Sequence, residues 1–267
     1  MAMSETDNTA PGFAKHPGYR LELAPSEKRV RVTFGGETII DSCAARLVLE
    51  SGCVPIYYFP QSDFRSDLTE KTGYSSYCPF KGHASYWTLN AGSKTAKNAV
   101  WSYETPYDEA AAMAGLVAFY WQPMDGWFEE DEEVFCHARD PHVRLDIVRS
   151  TRPVRVGVGS ITLAESRRAR FLFETGVVPR HYVPQEDVRM DLLQKSATRS
   201  QCPYKGEAVY YSLIDSNSGE IEKADIAWSY PAPLPEATPI TSHICFYKRH
   251  VDGIYVDDVQ QEQPATK

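Results

Sequence analysis

The feature that most constrains the fold of this chain is an internal repeat. When the sequence is shifted by 124 residues, residues 17–82 align with residues 141–206 without a gap, and 29 of the 66 aligned positions are identical. The densest part is ESGCVPIYYFPQSDFRSDL, which matches ETGVVPRHYVPQEDVRMDL. Self-similarity over such a length indicates duplication of one structural unit. The chain therefore consists of two copies of the same small domain.

The alignment also predicts the domain boundaries. We place the first repeat domain at residues 14–137 and the second at residues 138–260. A domain of about 120 residues can bury a core without disulfides or metals. The remaining ends, residues 1–13 and 261–267, are predicted to be a disordered tail and a frayed tail.

Hydrophobic periodicity predicts a mainly β fold. Short alternating or aromatic runs such as residues 30–34 and 54–59 are typical of strands. Ser42 and Gly52 bracket residues 43–50 in the way that an N-cap and a C-terminal glycine bracket a short helix. Residues 167–174 occupy the equivalent place in the second copy. We expect about seven short strands and one helix in each repeat, curled into a barrel-like sheet.

Composition narrows the partners and the compartment. The net charge of −8 disfavours nucleic acid, because neutralising phosphates needs a basic surface. None of the six cysteines forms a C-x-x-C pair, so we expect no metal, and nothing indicates a cofactor. No apolar run approaches the roughly 20 residues that cross a bilayer. These features predict a cytoplasmic protein without a membrane partner and leave the oligomeric state open.

The first chemical motif is P-Q-x-D-x-R-x-D-L. It contains Asp63, Arg65 and Asp67, and it recurs around Arg189 in the second copy. One interpretation is an ion-pair network that holds a loop in place. The other is that the arginine binds an anionic ligand group, since a guanidinium makes two parallel hydrogen bonds to a carboxylate or phosphate.

The second motif is C-P-[FY]-K-G, with Cys78 and Lys81 in the first copy and Cys202 and Lys205 in the second. Proline and glycine make a rigid turn that would hold the lysine in place. Such a lysine could bind phosphate, form a Schiff base or act as a base, and the cysteine could be a nucleophile. The alternative is a buried thiol beside a solvated lysine.

Aromatic residues form a third set, which either fills a core or walls a pocket for a flat or cationic ligand. Trp87 in the first copy corresponds to Tyr211 in the second, and this difference favours the first copy as the functional one. The members of the set are Tyr58, Trp87, Trp101 and Tyr103, with Tyr182, Tyr211, Trp228 and Tyr230 in the second copy.

The segments DFRSDL, CPFKGHASYW and AVWSY, with DVRMDL, CPYKGEAVYY and AWSY in the second copy, resemble a known family. The chain resembles a tandem member of the family catalogued as domain of unknown function 427, which carries a nucleotidyltransferase-like label. The resemblance implies a β-tent, in which two antiparallel sheets are pinned at one edge and open at the other. Similar folds, such as methionine sulfoxide reductase B and the ligand-binding domain of cereblon, bind ligands against aromatics and often hold zinc on C-x-x-C pairs, which this sequence lacks.

Three functions follow from these patterns. The leading prediction is a small-molecule-binding pair of domains whose ligand carries an anionic group. The alternatives are an enzyme on small metabolites, including nucleotidyl transfer, and an interaction protein without a ligand. The ligand-binding candidates are Tyr58, Arg65, Trp87, Trp101, Tyr182, Arg189, Lys205, Tyr211 and Trp228, and the catalytic candidates are Asp63, Asp67, Cys78 and Lys81.

Overall fold

The structure is a computed structural model that describes residues 8–261. The chain divides into two compact units between Asp140 and Pro141, and each unit contains one repeat. Antiparallel strands make up most of both units. The structure is therefore mainly β, with two similar small domains in tandem.

Eleven strands form the first repeat. They are β1 (Leu21–Pro25), β2 (Val30–Phe34), β3 (Glu37–Ser42), β4 (Arg46–Glu50), β5 (Ile56–Pro60), β6 (Thr69–Cys78), β7 (Gly82–Ala91), β8 (Lys94–Ser102), β9 (Leu116–Phe119), β10 (Gly126–Glu129) and β11 (Glu132–Glu133). Seven of them form a sheet in the order β1-β4-β5-β9-β8-β7-β6, and the other four form a sheet in the order β11-β10-β2-β3.

The second repeat matches the first strand for strand. Its strands are β12 (Leu145–Arg149), β13 (Val154–Val158), β14 (Ile161–Ser166), β15 (Arg170–Glu174), β16 (Arg180–Pro184), β17 (Leu193–Cys202), β18 (Gly206–Ile214), β19 (Ile221–Ser229), β20 (His243–Phe246), β21 (Gly253–Val256) and β22 (Val259–Gln260). The sheet orders are β12-β15-β16-β20-β19-β18-β17 and β14-β13-β21-β22. The sequence-based count of seven strands per repeat was too low, because exposed polar strands such as β6 and β17 lack a hydrophobic alternation.

Each repeat has two layers of buried side chains. In the first repeat, the main core lies between the two sheets, where the alternation of β2 directs Val30, Val32 and Phe34 inward. A second cluster, which includes Tyr58 and Trp101, covers the opposite face of the seven-stranded sheet. The same two layers recur in the second repeat. The central strands of the large sheet are thus covered on both faces, which explains their aromatic and β-branched composition.

The helix predicted at residues 43–50 is wrong, since this segment contains β4. Ser42 closes a turn by accepting a hydrogen bond from the Ala44 amide at 3.0 Å, and its hydroxyl donates to Asp63 at 2.6 Å. A serine that binds the amide two residues later imitates a helix N-cap in sequence. Residues 167–174 contain β15 for the same reason, and Ser166 binds Asp187 there.

One α-helix occurs within residues 8–261, namely α1 (Pro11–Lys15), in the first unit. It lies partly in residues 1–13, for which the sequence predicts a disordered tail. The Gly12 amide donates to the Pro79 carbonyl at 2.9 Å, and Phe13 packs edge-to-face on Phe80. Residues 8–13 are therefore part of the first unit, whereas residues 1–7 and 262–267 lie outside the described residues.

Short 3-10 helices complete the fold: Gln61–Asp63, Ser66–Leu68, Asp108–Met113, Gln185–Asp187, Met190–Leu192 and Pro235–Ile240. No helix between residues 8 and 261 has the length and apolar character that crossing a bilayer requires.

We predict that Ser42→Ala lowers the free energy of unfolding by about 1–3 kcal/mol, because Ser42 is buried and holds both the turn before β4 and the Asp63 carboxylate. Ser62→Ala is the matched control. The Ser62 hydroxyl also donates to Asp63, at 2.9 Å, but it is exposed, so its loss should cost less than about 0.5 kcal/mol. Urea unfolding, monitored by tryptophan fluorescence, measures the free energy of unfolding of both variants. Equal losses of stability in the two variants would contradict this role of Ser42.

Candidate functional site

The seven-stranded sheet of the first repeat splits between β5 and β9. These strands pair only over residues 58–60 and 116–118. On the N-terminal side of Tyr58, β5 stays paired with β4. Beyond β9 the chain continues along β8, and the Tyr120 amide donates to the Ala99 carbonyl at 3.0 Å. The sheet therefore opens into two arms.

A cavity of about 580 Å³ occupies this opening. Its volume lies within the range of small-molecule sites, roughly 300–1,000 Å³. Residues 53–58 line it on the β5 arm and residues 119–123 on the β9 arm, together with side chains on or next to β7 and β8. The lining residues are Glu50, Cys53, Val54, Pro55, Ile56, Tyr57, Tyr58, Lys81, Tyr86, Trp101, Tyr103, Phe119, Tyr120, Trp121, Gln122, Pro123, Trp127, Cys136 and His137.

The floor of the cavity is aromatic and internally hydrogen-bonded. Trp101 on β8 donates its indole N–H to the Tyr58 hydroxyl on β5 at 2.8 Å, and the two rings meet edge-to-face. This bond joins the two arms at the point where they separate. Burial raises the pKa of Tyr58 and of Tyr103, so both phenols are neutral at physiological pH. The floor thus offers rigid, uncharged ring faces.

The rim carries further aromatic faces. Trp121 stacks on Trp127 with ring centres 4.2 Å apart and planes within 6° of parallel. The Tyr120 ring lies 4.7 Å from that of Trp101. Burial raises the pKa of Tyr120 to about 12, although nearly half of this residue is exposed. An indole pair therefore walls one side of the opening, and a tyrosine borders it on the β8 side.

A buried ion pair is the polar group of the cavity. Lys81 and Glu50 pair with each other, and both side chains are less than a tenth exposed. The Tyr19 hydroxyl donates to the other oxygen of Glu50 at 2.8 Å. The Lys81 ammonium also lies 5.5 Å from the ring centre of Tyr103. The solvated lysine considered from the sequence is therefore wrong, because the C-P-F-K-G turn directs Lys81 inward.

The arginine of the first motif is not a cavity residue. Arg65 and Asp67 form a bidentate ion pair with both contacts at 2.8 Å, and each is about half exposed. Asp63 binds Ser42. All three residues follow the C-terminal end of β5, whereas the cavity lies at its N-terminal end. This arrangement agrees with the loop-holding interpretation of the motif.

The structure does not gather the four catalytic candidates either. Lys81 lines the cavity, and Cys78 packs beneath it in the aromatic cluster of the floor. Asp63 and Asp67 lie at the other end of β5. The P-Q-x-D-x-R-x-D-L motif therefore does not place a carboxylate beside Lys81 or Cys78 that could act as their general acid or base.

Trp87 also lies away from the cavity, because neighbouring residues of a strand point to opposite faces. Tyr86 is opposite Trp101 across the β7–β8 pair and lines the cavity. Trp87 packs on the core between the sheets, and the Lys71 ammonium lies 5.3 Å from its ring centre. Of the ligand residues predicted from the sequence, Tyr58 and Trp101 line this cavity, whereas Trp87 does not.

Several lining residues were missed from the sequence, namely Glu50, Tyr120, Trp121 and Trp127. One signal was present for Glu50, since the chain repeats this glutamate as Glu174 just as it repeats the lysine. The indoles of the rim occur in the first copy alone, so the repeat does not indicate them.

The family model described as "Domain of unknown function (DUF427)" matches residues 22–130 and 146–257. These two segments cover most of the chain. The protein belongs to the DUF427 family. No curated protein matches the sequence significantly.

The second DUF427 domain keeps the frame of the first. Lys205 pairs with Glu174 at 2.7 Å, and the Trp228 indole donates to the Tyr182 hydroxyl at 3.3 Å. The strands equivalent to β5 and β9 pair only over Val183–Pro184 and His243–Ile244. Three of the predicted ligand residues, Tyr182, Lys205 and Trp228, therefore stand where their first-domain counterparts do. Arg189 pairs instead with Asp191, and Tyr211 packs on the core between the sheets.

The lining has changed between the domains. Lys248 and Ile254 occupy the positions of Trp121 and Trp127, so the stacked indoles are absent from the second domain. Arg180, at the position of Ile56, places its guanidinium 5.6 Å from the ring centre of Trp228. The second domain thus keeps the aromatic floor but has two basic side chains, Arg180 and Lys248, where the first domain has Ile56 and Trp121.

A buried histidine marks the same divergence. In the first domain the Tyr57 hydroxyl donates to the buried carboxylate of Glu129 at 2.8 Å. The second domain has His181 and Val256 at these positions. His181 is 6% exposed, and its Nδ1 has no hydrogen-bond partner among the described residues. Burial, with Lys248 as the next cause, lowers the pKa of His181 to about 4.

Metal ligands are not gathered anywhere between residues 8 and 261, since no group of three or more His, Cys, Asp or Glu side chains could hold one ion there. The six cysteines are free thiols.

We predict that Lys81→Met lowers the free energy of unfolding by about 3–5 kcal/mol, because it leaves Glu50 as a buried charge without its cation. Adding Glu50→Leu should recover most of this loss. Lys71→Met is the control, since Lys71 pairs with Glu104 at 2.5 Å on the surface and should cost less than about 1 kcal/mol. Denaturant unfolding measures the stability of Lys81→Met, of the double variant and of Lys71→Met. A double variant no more stable than Lys81→Met alone would show that the buried charge of Glu50 is not the cause of the loss.

The pH dependence of stability should change in His181→Phe. The pKa of His181 is lowered in the folded state, so the unfolded chain takes up a proton first as the pH falls below about 6.5. Stability is therefore complete above that pH and falls progressively towards pH 4, by up to roughly 3 kcal/mol for this group. Unfolding free energies measured between pH 7 and 4 should decline less steeply in His181→Phe than in the wild type. Identical slopes would show that His181 titrates normally.

Proposed function

We propose that the first DUF427 domain binds a small molecule with a flat, uncharged ring in the cavity of its split sheet. The observation that carries this proposal is the cavity of about 580 Å³ between two arms that present indole and phenol faces. Sites of this size with aromatic walls and few polar groups are typical of small-molecule binding. Ring stacking adds roughly 0.5–1.5 kcal/mol for each favourable aromatic pair beyond the buried area.

The charges of the lining favour a neutral ligand. Lys81 and Glu50 compensate each other, and they are the only lysine, arginine, aspartate or glutamate among the lining residues that the structure describes. A cationic ligand would meet no uncompensated carboxylate, and an anionic ligand no uncompensated lysine or arginine. The anionic group expected from the sequence is therefore not part of the proposal for this cavity.

The buried pair supplies the polar contact. An ammonium has three N–H donors, and Glu50 accepts one from Lys81. A carbonyl or ring nitrogen of the ligand is suited to accept another, because the Lys81 side chain lines the cavity. The ligand class is thus a flat ring with one acceptor at its edge.

Nucleotidyl transfer is not favoured by this geometry. That chemistry needs carboxylates that hold a metal beside the phosphates. Asp63 and Asp67, the paired aspartates of the sequence motif, accept hydrogen bonds from Ser42 and Arg65 instead.

The test is a fluorescence and thermal-shift screen of uncharged heteroaromatic compounds, because Trp101, Trp121 and Trp127 all line the cavity. Tyr120→Ala should weaken binding of any hit by about tenfold or more, which corresponds to roughly 1.4 kcal/mol of lost ring contact. Trp121→Lys, which introduces the residue found at this place in the second domain, should abolish it. Tyr247→Ala is the matched control, because Tyr247 is the counterpart of Tyr120, and it should bind normally. Equal losses in Tyr120→Ala and Tyr247→Ala would refute binding at this cavity.

A further inference from the structure

A basic groove of about 460 Å³ lies on the second domain, outside the equivalent of the aromatic cavity. Four arginines line it, Arg149, Arg167, Arg168 and Arg170, together with His243. The chain as a whole carries a net charge of −8. A concave cluster of one sign in a protein of the opposite net charge concentrates oppositely charged ligands.

Three of these cations are uncompensated. Arg168 pairs with Asp187 at 2.6 Å and with Glu186 at 3.2 Å. Arg149, Arg167 and Arg170 form no ion pair with any residue from 8 to 261. Arg149 and Arg170 are moreover directly opposite each other on β12 and β15. Like charges at opposed positions of an antiparallel pair are destabilising, so the fold tolerates a repulsion at this groove.

The first domain does not share the cluster. At the positions of Arg149, Arg167 and Arg168 it has Pro25, Cys43 and Ala44, and only Arg46 corresponds to Arg170. Isolated charges on an edge strand are sufficient to prevent strand addition. Four arginines around one groove exceed that need, and the repeat frame does not require them.

The remaining lining groups suit the oxygens of an anion. Ser150 and Thr151 bring hydroxyl groups to the groove. His243 hydrogen-bonds the Thr241 carbonyl through Nδ1 at 2.7 Å, which leaves Nε2 available. Burial lowers the pKa of His243, and Arg170 and Arg168 lower it further, whereas the hydrogen bond to Thr241 and the charge of Glu186 act in the opposite direction.

We propose that this groove is a second ligand site, which binds the phosphate group of a small phosphorylated molecule. Guanidinium groups bind phosphate oxygens through paired hydrogen bonds, and a phosphate monoester carries a charge of about −1.5 to −2, which matches several uncompensated arginines better than a single carboxylate does. The groove is larger than an inorganic phosphate and leaves room for an organic portion.

Calorimetric titration of the full chain at constant ionic strength tests the proposal, with inorganic pyrophosphate as the probe and chloride as the ionic control. The wild type should bind pyrophosphate. The double variant Arg149→Gln/Arg170→Gln should bind at least about tenfold more weakly, and its melting temperature without ligand should be unchanged or higher, because a like-charge repulsion is removed.

Arg46→Gln is the matched control, because Arg46 has the strand position of Arg170 in the domain without the cluster. It should bind pyrophosphate as the wild type does. Absence of binding by the wild type, or an equal loss in Arg46→Gln, would overturn the proposal. So would tighter binding of a short DNA duplex than of pyrophosphate at every salt concentration, since that would make the groove a surface for polyanions.

Discussion

The opening of the large sheet depends on one short pairing of strands, between β5 and β9. It spans three residues in each strand, and at its end the Trp101 indole donates to the Tyr58 hydroxyl across the two arms. Beyond this bond each arm keeps its backbone hydrogen bonds with its other neighbour, so the sheet separates without losing the ladders on either side. Buried backbone groups must be paired somewhere. The opening can therefore hold a cavity whose walls are side chains.

The second domain shows which features the frame requires. It keeps the short pairing, the tyrosine–tryptophan bond and the buried lysine–glutamate pair, as Lys205 and Glu174. It has not kept the stacked indoles, and it has gained arginines that have no counterpart in the first domain. The shared groups thus belong to the common architecture, whereas the differing groups change the chemical character of the lining.

The sequence predicted much of the frame and part of the site. The repeat showed the two domains, and the turn motif and aromatic set included Lys81, Tyr58 and Trp101. The helix predicted at residues 43–50 is wrong because pairing with distant strands determines the structure there. Ser42 makes the same local hydrogen bonds before a strand as it would before a helix. The sequence could not show that Trp87 lies away from the cavity, because period-2 alternation does not say which face of a strand a cavity occupies. Glu50 was missed because it lies 31 residues from its partner Lys81 in sequence.

We propose that the split sheet of the first domain holds an open, aromatic ligand cavity. A crystal structure of the protein soaked with an uncharged aromatic fragment such as indole tests it most directly. The account predicts density for the ring among Trp101, Tyr120 and Trp121, with residues 53–57 and 119–123 still apart. It would be contradicted by crystals in which these two segments hydrogen-bond to each other and close the opening, with no fragment bound between them.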